Sequence, residues 1–151
     1  MAKQNKILDA YDISLYDYDS TKKNIRVKFA RYRRLKEQEE KILLECKSAS
    51  NFEITGIKTK NLKDNMLAKM TKLEPIQNLL KKVDDIVKIN KNELSDDEQL
   101  VFDKMLLDEC TNEDLMFIMQ KNSTYINKIK KSCFIKVARW FGEEVYDTNS
   151  L

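Results

Sequence analysis

A chain of 151 residues, 42 % apolar and 35 % charged, has room for one core or two small ones and is too apolar to stay disordered. Two glycines and one proline are too few for the turns of an all-β fold, so the composition predicts a mainly α protein. Histidine is absent, which removes the commonest general base and metal ligand, and the modest net charge of +3 conceals blocks of opposite sign.

Residues 1–19 mix Tyr11, Tyr16 and Tyr18 with aspartates, which fits a short helix or a partly ordered arm. Asp19 or Ser20 offers an N-cap for a long helix over Thr21–Cys46. Its apolar positions Ile25, Phe29, Tyr32, Leu35, Ile42, Leu43 and Cys46 step mostly by three or four, the spacing of a helical stripe. Residues 20–47 hold ten Lys/Arg against four acids, and Arg31, Arg33 and Arg34 form a candidate second basic surface. The stripe fits either a dimer seam or a surface folded back on the Ile76–Val87 segment.

Ser48–Asn61 breaks the period with Ser, Asn and Gly56 and reads as a linker. Helical spacing resumes at Leu62 with Met66, Leu67, Met70 and Leu73. Pro75 suits the first turn of a further helix carrying Ile76, Leu79, Leu80, Val83, Ile86 and Val87. The domains expected are thus 1–61, a basic helical region with its linker, and 62–151, a helical domain.

From Leu94 to Gly142 the pattern is denser. Ser95 and Glu98 spell a capping box opening a helix over Asp96–Glu109, with Leu100, Val101, Met105 and Leu106 inward. Thr111, with Asp114 three residues on, caps a short helix over Asn112–Lys121 that turns Leu115, Ile118 and Met119 inward. Lys121 and Asn122 leave room only for a tight turn, in which Asn122 tolerates an unusual φ and caps a last helix over Ser123–Phe141. Gly142 stands where a C′ glycine belongs. On a helical wheel Ile126, Ile129, Cys133, Val137, Trp140 and Phe141 share one side, while Thr124, Asn127, Lys128 and Lys131 share the other and Ile135 points outward.

A short helix, a tight turn and a longer helix make a helix-turn-helix, at about 94–142. Residues 93–114 carry nine acids against one lysine, whereas 115–142 carry six Lys/Arg and no acid that would repel phosphate. The candidate DNA-binding residues are Lys121, Asn122, Ser123, Thr124, Tyr125, Asn127, Lys128 and Lys131, which bring hydroxyls, amides and ammonium groups to base edges and phosphates.

Catalysis is not expected. Asp84–Asp85 and Asp96–Asp97–Glu98 are neighbours that point about 100° apart on a helix and do not converge. Cys46, Cys110 and Cys133 form no CxxC pair and have no histidine partner, so neither a zinc site nor a nucleophile is expected, and no cofactor. Reduced thiols fit a cytoplasmic location, and no apolar run approaches the roughly 18 residues of a membrane span.

The stretch TNEDLMFIMQKNSTYINKIKKSCFIKVARW, Thr111–Trp140, resembles region four of the sigma-70 family without a gap, with Leu115, Ile118, Ile126, Ile129 and Val137 at that motif's core positions. Upstream, DYDSTKKNIRVKFARYRRLKEQ, Asp17–Gln38, resembles the N-terminal helix of the ArpU/RinA-type late transcriptional regulators of phages and phage-related islands. The resemblance covers about residues 17–142. It implies a basic N-terminal helix and middle helices ahead of a sigma-region-four-like helix-turn-helix. It also implies a sequence-specific double-stranded DNA-binding activator of packaging and morphogenesis genes. RNA polymerase and a second copy of the chain are the further partners expected. The alternatives are a small terminase-like DNA-recognition subunit, usually with the opposite domain order, and a helical protein-interaction adaptor.

Overall fold

The computed structural model describes residues 6–54 and 59–150, and the chain is mainly helical, as its composition predicts. The α-helices are α1 (Ala10–Ser14), α2 (Tyr18–Ile54), α3 (Thr59–Asn90), α4 (Asp96–Val101), α5 (Asn112–Met119) and α6 (Ser123–Phe141). A π-helical stretch over Phe102–Leu107 continues α4. Among the described residues no helix is long and apolar enough to cross a membrane. Contacts divide the chain into two compact units, one combining the chain up to Ala30 with Ile86–Leu151 and the other formed by Arg31–Asp85. The boundary expected at 61/62 falls inside the second of these.

The second unit is a helical hairpin. Tyr32 donates its hydroxyl proton to Asp84 Oδ1 at 2.5 Å, and Lys69 pairs with Glu45 at 2.7 Å. As α2 advances from 32 to 45 its partners on α3 fall back from 84 to 69, so the helices run antiparallel. Of the two outcomes open for the α2 stripe, Tyr32 takes the folded-back one, and Leu73 and Leu80 on α3 are buried in the hairpin. The helices exceed expectation. The backbone of 48–54 is helical where a linker was expected, because interior Ser and Asn each cost a helix well under about 1 kcal/mol. Residues 55–58, including Gly56, lie outside the described residues. Pro75 sits inside α3 rather than at the start of a new helix. It withdraws an N–H from the carbonyl of Thr71, and both residues are exposed, so the freed acceptor is not shut away from solvent.

The first unit is built around α6. Ile25 and Phe29 of α2, Leu94, Val101, Phe102, Leu106 and Leu115 are buried, together with Ile126, Ile129, Cys133, Phe134, Ile135, Val137 and Ala138 of α6. Each large apolar side chain removed from water contributes about 1.5–3 kcal/mol. Phe29 meets Phe102 and Phe141 edge to face, at 5.5 and 5.9 Å between centroids, and is therefore part of this core and not of a dimer seam. Helix α2 begins at Tyr18, ahead of the expected Asp19 or Ser20 cap, because Asp17 accepts the Ser20 N–H and hydroxyl through its two carboxylate oxygens. Those donors hold the Asp17 carboxyl below its usual pKa. The C-terminal tail closes over the same corner. Asp17 N–H donates to Val145 O at 2.8 Å, Asp147 N–H to Leu15 O at 2.9 Å, and Tyr16 stacks on Tyr146 at 5.1 Å.

Candidate nucleic-acid interface

Each helix around the candidate interface starts at a cap legible in the chain. Ser95 and Glu98 exchange side-chain and backbone hydrogen bonds in a full capping box, as do Thr111 and Asp114. Asn122 accepts the Tyr125 N–H at 2.9 Å at the head of α6, and Gly142, at φ 68°, takes the left-handed position that ends it.

Glu98 does more than cap. It is fully buried, and its carboxylate accepts from the Ser132 hydroxyl at 2.9 Å and from Lys136 Nζ at 2.8 Å. Lys136 also donates to the carbonyls of Lys6 and Glu93. The buried Cys133 thiol donates to the Glu98 carbonyl at 3.4 Å, and burial pushes its pKa well up, so it is a core thiol. This network fixes α6 to α4 and to the N-terminal segment.

The turn between α5 and α6 departs from expectation in one detail. The left-handed residue is Gln120, at φ 55° and ψ 44°, while Asn122 is extended. The Gln120 amide donates to the Phe117 carbonyl at 2.8 Å, which helps offset the cost of a side chain in that conformation. Helix α5 accordingly ends at Met119, two residues early. It buries Leu115, but Ile118 is 44 % exposed and does not join the core as expected.

Helix α6 divides along its length. In its first turns Ser123, Thr124, Asn127, Lys128 and Lys131 are all exposed, together with Lys121 and Asn122 before it, as the wheel predicts. From Ser132 to Ala138 every residue is buried, including Ile135, which was expected to point outward. The wheel assumed one solvated face, whereas α1, α4 and α5 all pack against α6. At the far end Trp140 and Phe141 are only half-buried. Trp140 lies 6.2 Å from Phe102 and donates its indole N–H to Glu93 at the surface.

The candidate residues are not equivalent. Tyr125 turns away from the outer face, because its hydroxyl donates to Asp97 of α4 in a hydrogen bond that raises the phenol pKa. Lys121 Nζ stacks over the Tyr125 ring at 5.3 Å. Asn127 accepts from the Asn112 amide through Oδ1 at 3.1 Å, which leaves its own N–H donors for a ligand. Thr124, Asn127, Lys128 and Lys131 line a groove of about 520 Å³ whose far wall is Leu8, Ala10, Ile13 and Ser14. Sequence reasoning missed this wall, since nothing in residues 8–14 marks a partner so distant in the chain. Arg31, Arg33 and Arg34 lie on α2 within the other unit, with Arg31 and Arg34 exposed. No protein-family model, curated protein or solved structure matches this chain.

Proposed function

We propose that the chain is a sequence-specific double-stranded DNA-binding protein that regulates transcription, reading DNA with the N-terminal turns of α6. One observation carries the reading. Five exposed hydroxyl, amide and ammonium side chains, Ser123, Thr124, Asn127, Lys128 and Lys131, sit together on the first turns of a helix held by a capped helix-turn-helix. The first turns of the second helix are the part that meets base edges when such a unit enters a major groove. Residues 115–142 supply no acid to oppose the phosphates.

The proposal gives each residue a role. Thr124, Asn127 and Lys128 reach base edges, with Asn127 offering its N–H donors to an acceptor such as guanine N7 or O6 or thymine O4. Lys121 and Lys131 contact phosphate, and Tyr125 positions the helix by its bond to Asp97. The resemblance to late transcriptional regulators of phages supports the finer reading of an activator acting beside RNA polymerase in the cytoplasm.

Selection from a pool of randomised duplexes by the full chain tests the proposal. Enrichment of one sequence, lost when Thr124, Asn127 and Lys128 are together changed to alanine, is the expected result. No enrichment above the starting pool, or enrichment that the triple change leaves intact, would refute it.

A further inference from the structure

Two lysines of α6 are almost fully buried, and they are satisfied in opposite ways. Lys136 has Glu98. Lys130, 8 % exposed, has a neutral partner only, donating to Asn112 Oδ1 at 3.3 Å while its Nζ lies 5.9 Å from the Phe134 ring centre. Buried ammonium groups are ordinarily matched by an acid. What faces Lys130 from α2 is further positive charge, from Arg26 and Lys22.

Lys22, and Lys131 next to Lys130 in the chain, meet on Tyr18. Lys22 Nζ stands 5.4 Å from the ring centre and Lys131 Nζ 5.5 Å from it, so one ring holds a lysine from each helix. Among the described residues, none of Lys22, Arg26, Lys130 and Lys131 makes an ion pair. Cations gathered on this flank of α2 and α6 repel one another, a cost that the contacts of Lys22 and Lys131 with the Tyr18 ring offset only in part. Burial, and then the charges of Arg26 and Lys22, lower the Lys130 pKa to about 8, and among the described residues no acid pairs with it.

We propose that Lys22, Arg26 and Lys130, with Lys131 at the edge, form a phosphate-binding site on the flank of α6, and that its ligand is a backbone phosphate of the DNA whose groove α6 enters. This rests on the DNA-binding reading above. A phosphate group is compact and carries acceptor oxygens in several directions, which suits one guanidinium fork and two point charges on separate helices. Lys131 joins the site to the outer face of α6. The flank therefore sets the register of the duplex against the residues that read it.

The full chain is titrated with a mixed-sequence duplex about two helical turns long at several salt concentrations. The comparison is with Lys22→Gln/Arg26→Gln/Lys130→Met, and with the exposed Arg26→Gln alone should the triple change impair folding. Melting of the free protein in inorganic phosphate against chloride at matched ionic strength forms the second arm. The expected result is a salt slope reduced by about 0.9 for each phosphate contact removed, with circular dichroism unchanged. A slope equal to that of the unaltered chain overturns the assignment to the DNA backbone. If phosphate then still raises the melting temperature of the unaltered chain alone, the site takes free phosphate. If the unaltered chain binds no duplex, the DNA-binding reading fails. The anion site then stands or falls on the phosphate arm, where a melting temperature no higher in phosphate than in chloride overturns it.

Discussion

Changing Lys136 to methionine removes the only cation paired with a fully buried carboxylate among the described residues. Glu98 is 0 % exposed and its side chain lies 2.8 Å from Lys136 Nζ, itself 9 % exposed. Without the ammonium, Glu98 keeps the Ser132 hydroxyl at 2.9 Å and the Ser95 N–H at 3.2 Å, two neutral donors for a full negative charge. The carbonyls of Lys6 and Glu93 lose a charged donor as well. Stranding one partner of a buried pair costs about 3–5 kcal/mol. For a unit of about 100 residues each kcal/mol moves Tm by roughly 4–8 °C, so Lys136→Met is expected to lower it by at least about 12 °C. Replacing both partners, as Glu98→Gln/Lys136→Met, is expected to cost less than the two single changes together, because no charge is then left in the core. Urea unfolding followed by Trp140 fluorescence reports on this unit, since the indole sits against Phe102 and Glu93. A Lys136→Met protein within about 0.5 kcal/mol of the parent would refute the reasoning, because that is the range of surface substitutions.

Gln120→Gly is expected to stabilise the turn by up to about 1 kcal/mol, since φ 55° strains any side chain, whereas Gln120→Val is expected to destabilise it; denaturation midpoints of the two variants check the sign. Tyr125→Phe, which removes the hydroxyl bonded to Asp97, is expected to cost about 1–3 kcal/mol of stability and to leave the preferred DNA sequence unchanged, which repeating the duplex selection with the variant would show. Lys130 is held near 8 against an ordinary 10.5, so the folded state penalises its ammonium fully below about pH 8, and the penalty fades as pH rises toward 10.5. The charges facing it are Lys22 and Arg26 of α2, with only the neutral Asn112 from α5, so Lys130→Met is expected to melt higher than the parent at pH 7 and by a smaller margin at pH 10.

What could be read from the residues alone was local. The boxes at Ser95–Glu98 and Thr111–Asp114, the Asn122 cap and the Gly142 stop are written within three or four positions of chain, and all stand where expected. The exposed first turns of α6 follow from the same wheel. What could not be read depends on distant segments. Ile135 is buried on a helix that α1, α4 and α5 enclose, and Leu8 N–H donates to Ser132 on that helix across 124 positions. The wheel of one helix contains none of this. Composition also overstated the breaks: a run of Ser and Asn at 48–51 and a lone proline at 75 did not stop helices long enough to carry them. The cationic flank at Lys22, Arg26 and Lys130 escaped notice because Lys130 stands more than 100 positions from the other two, in a second basic block, and each block alone fits a solvated helix face.

The most direct test of the central claim is the ratio of affinities of the full chain for its selected duplex and for a scrambled duplex of equal length, measured by fluorescence anisotropy at one salt concentration. The account predicts a ratio of about 10³ or more. With Thr124, Asn127 and Lys128 changed to alanine it should fall toward unity, while affinity for the scrambled duplex holds to within the loss of one cation. A ratio near unity for the unaltered chain, or one that survives the triple change, would contradict the claim that the outer face of α6 reads DNA.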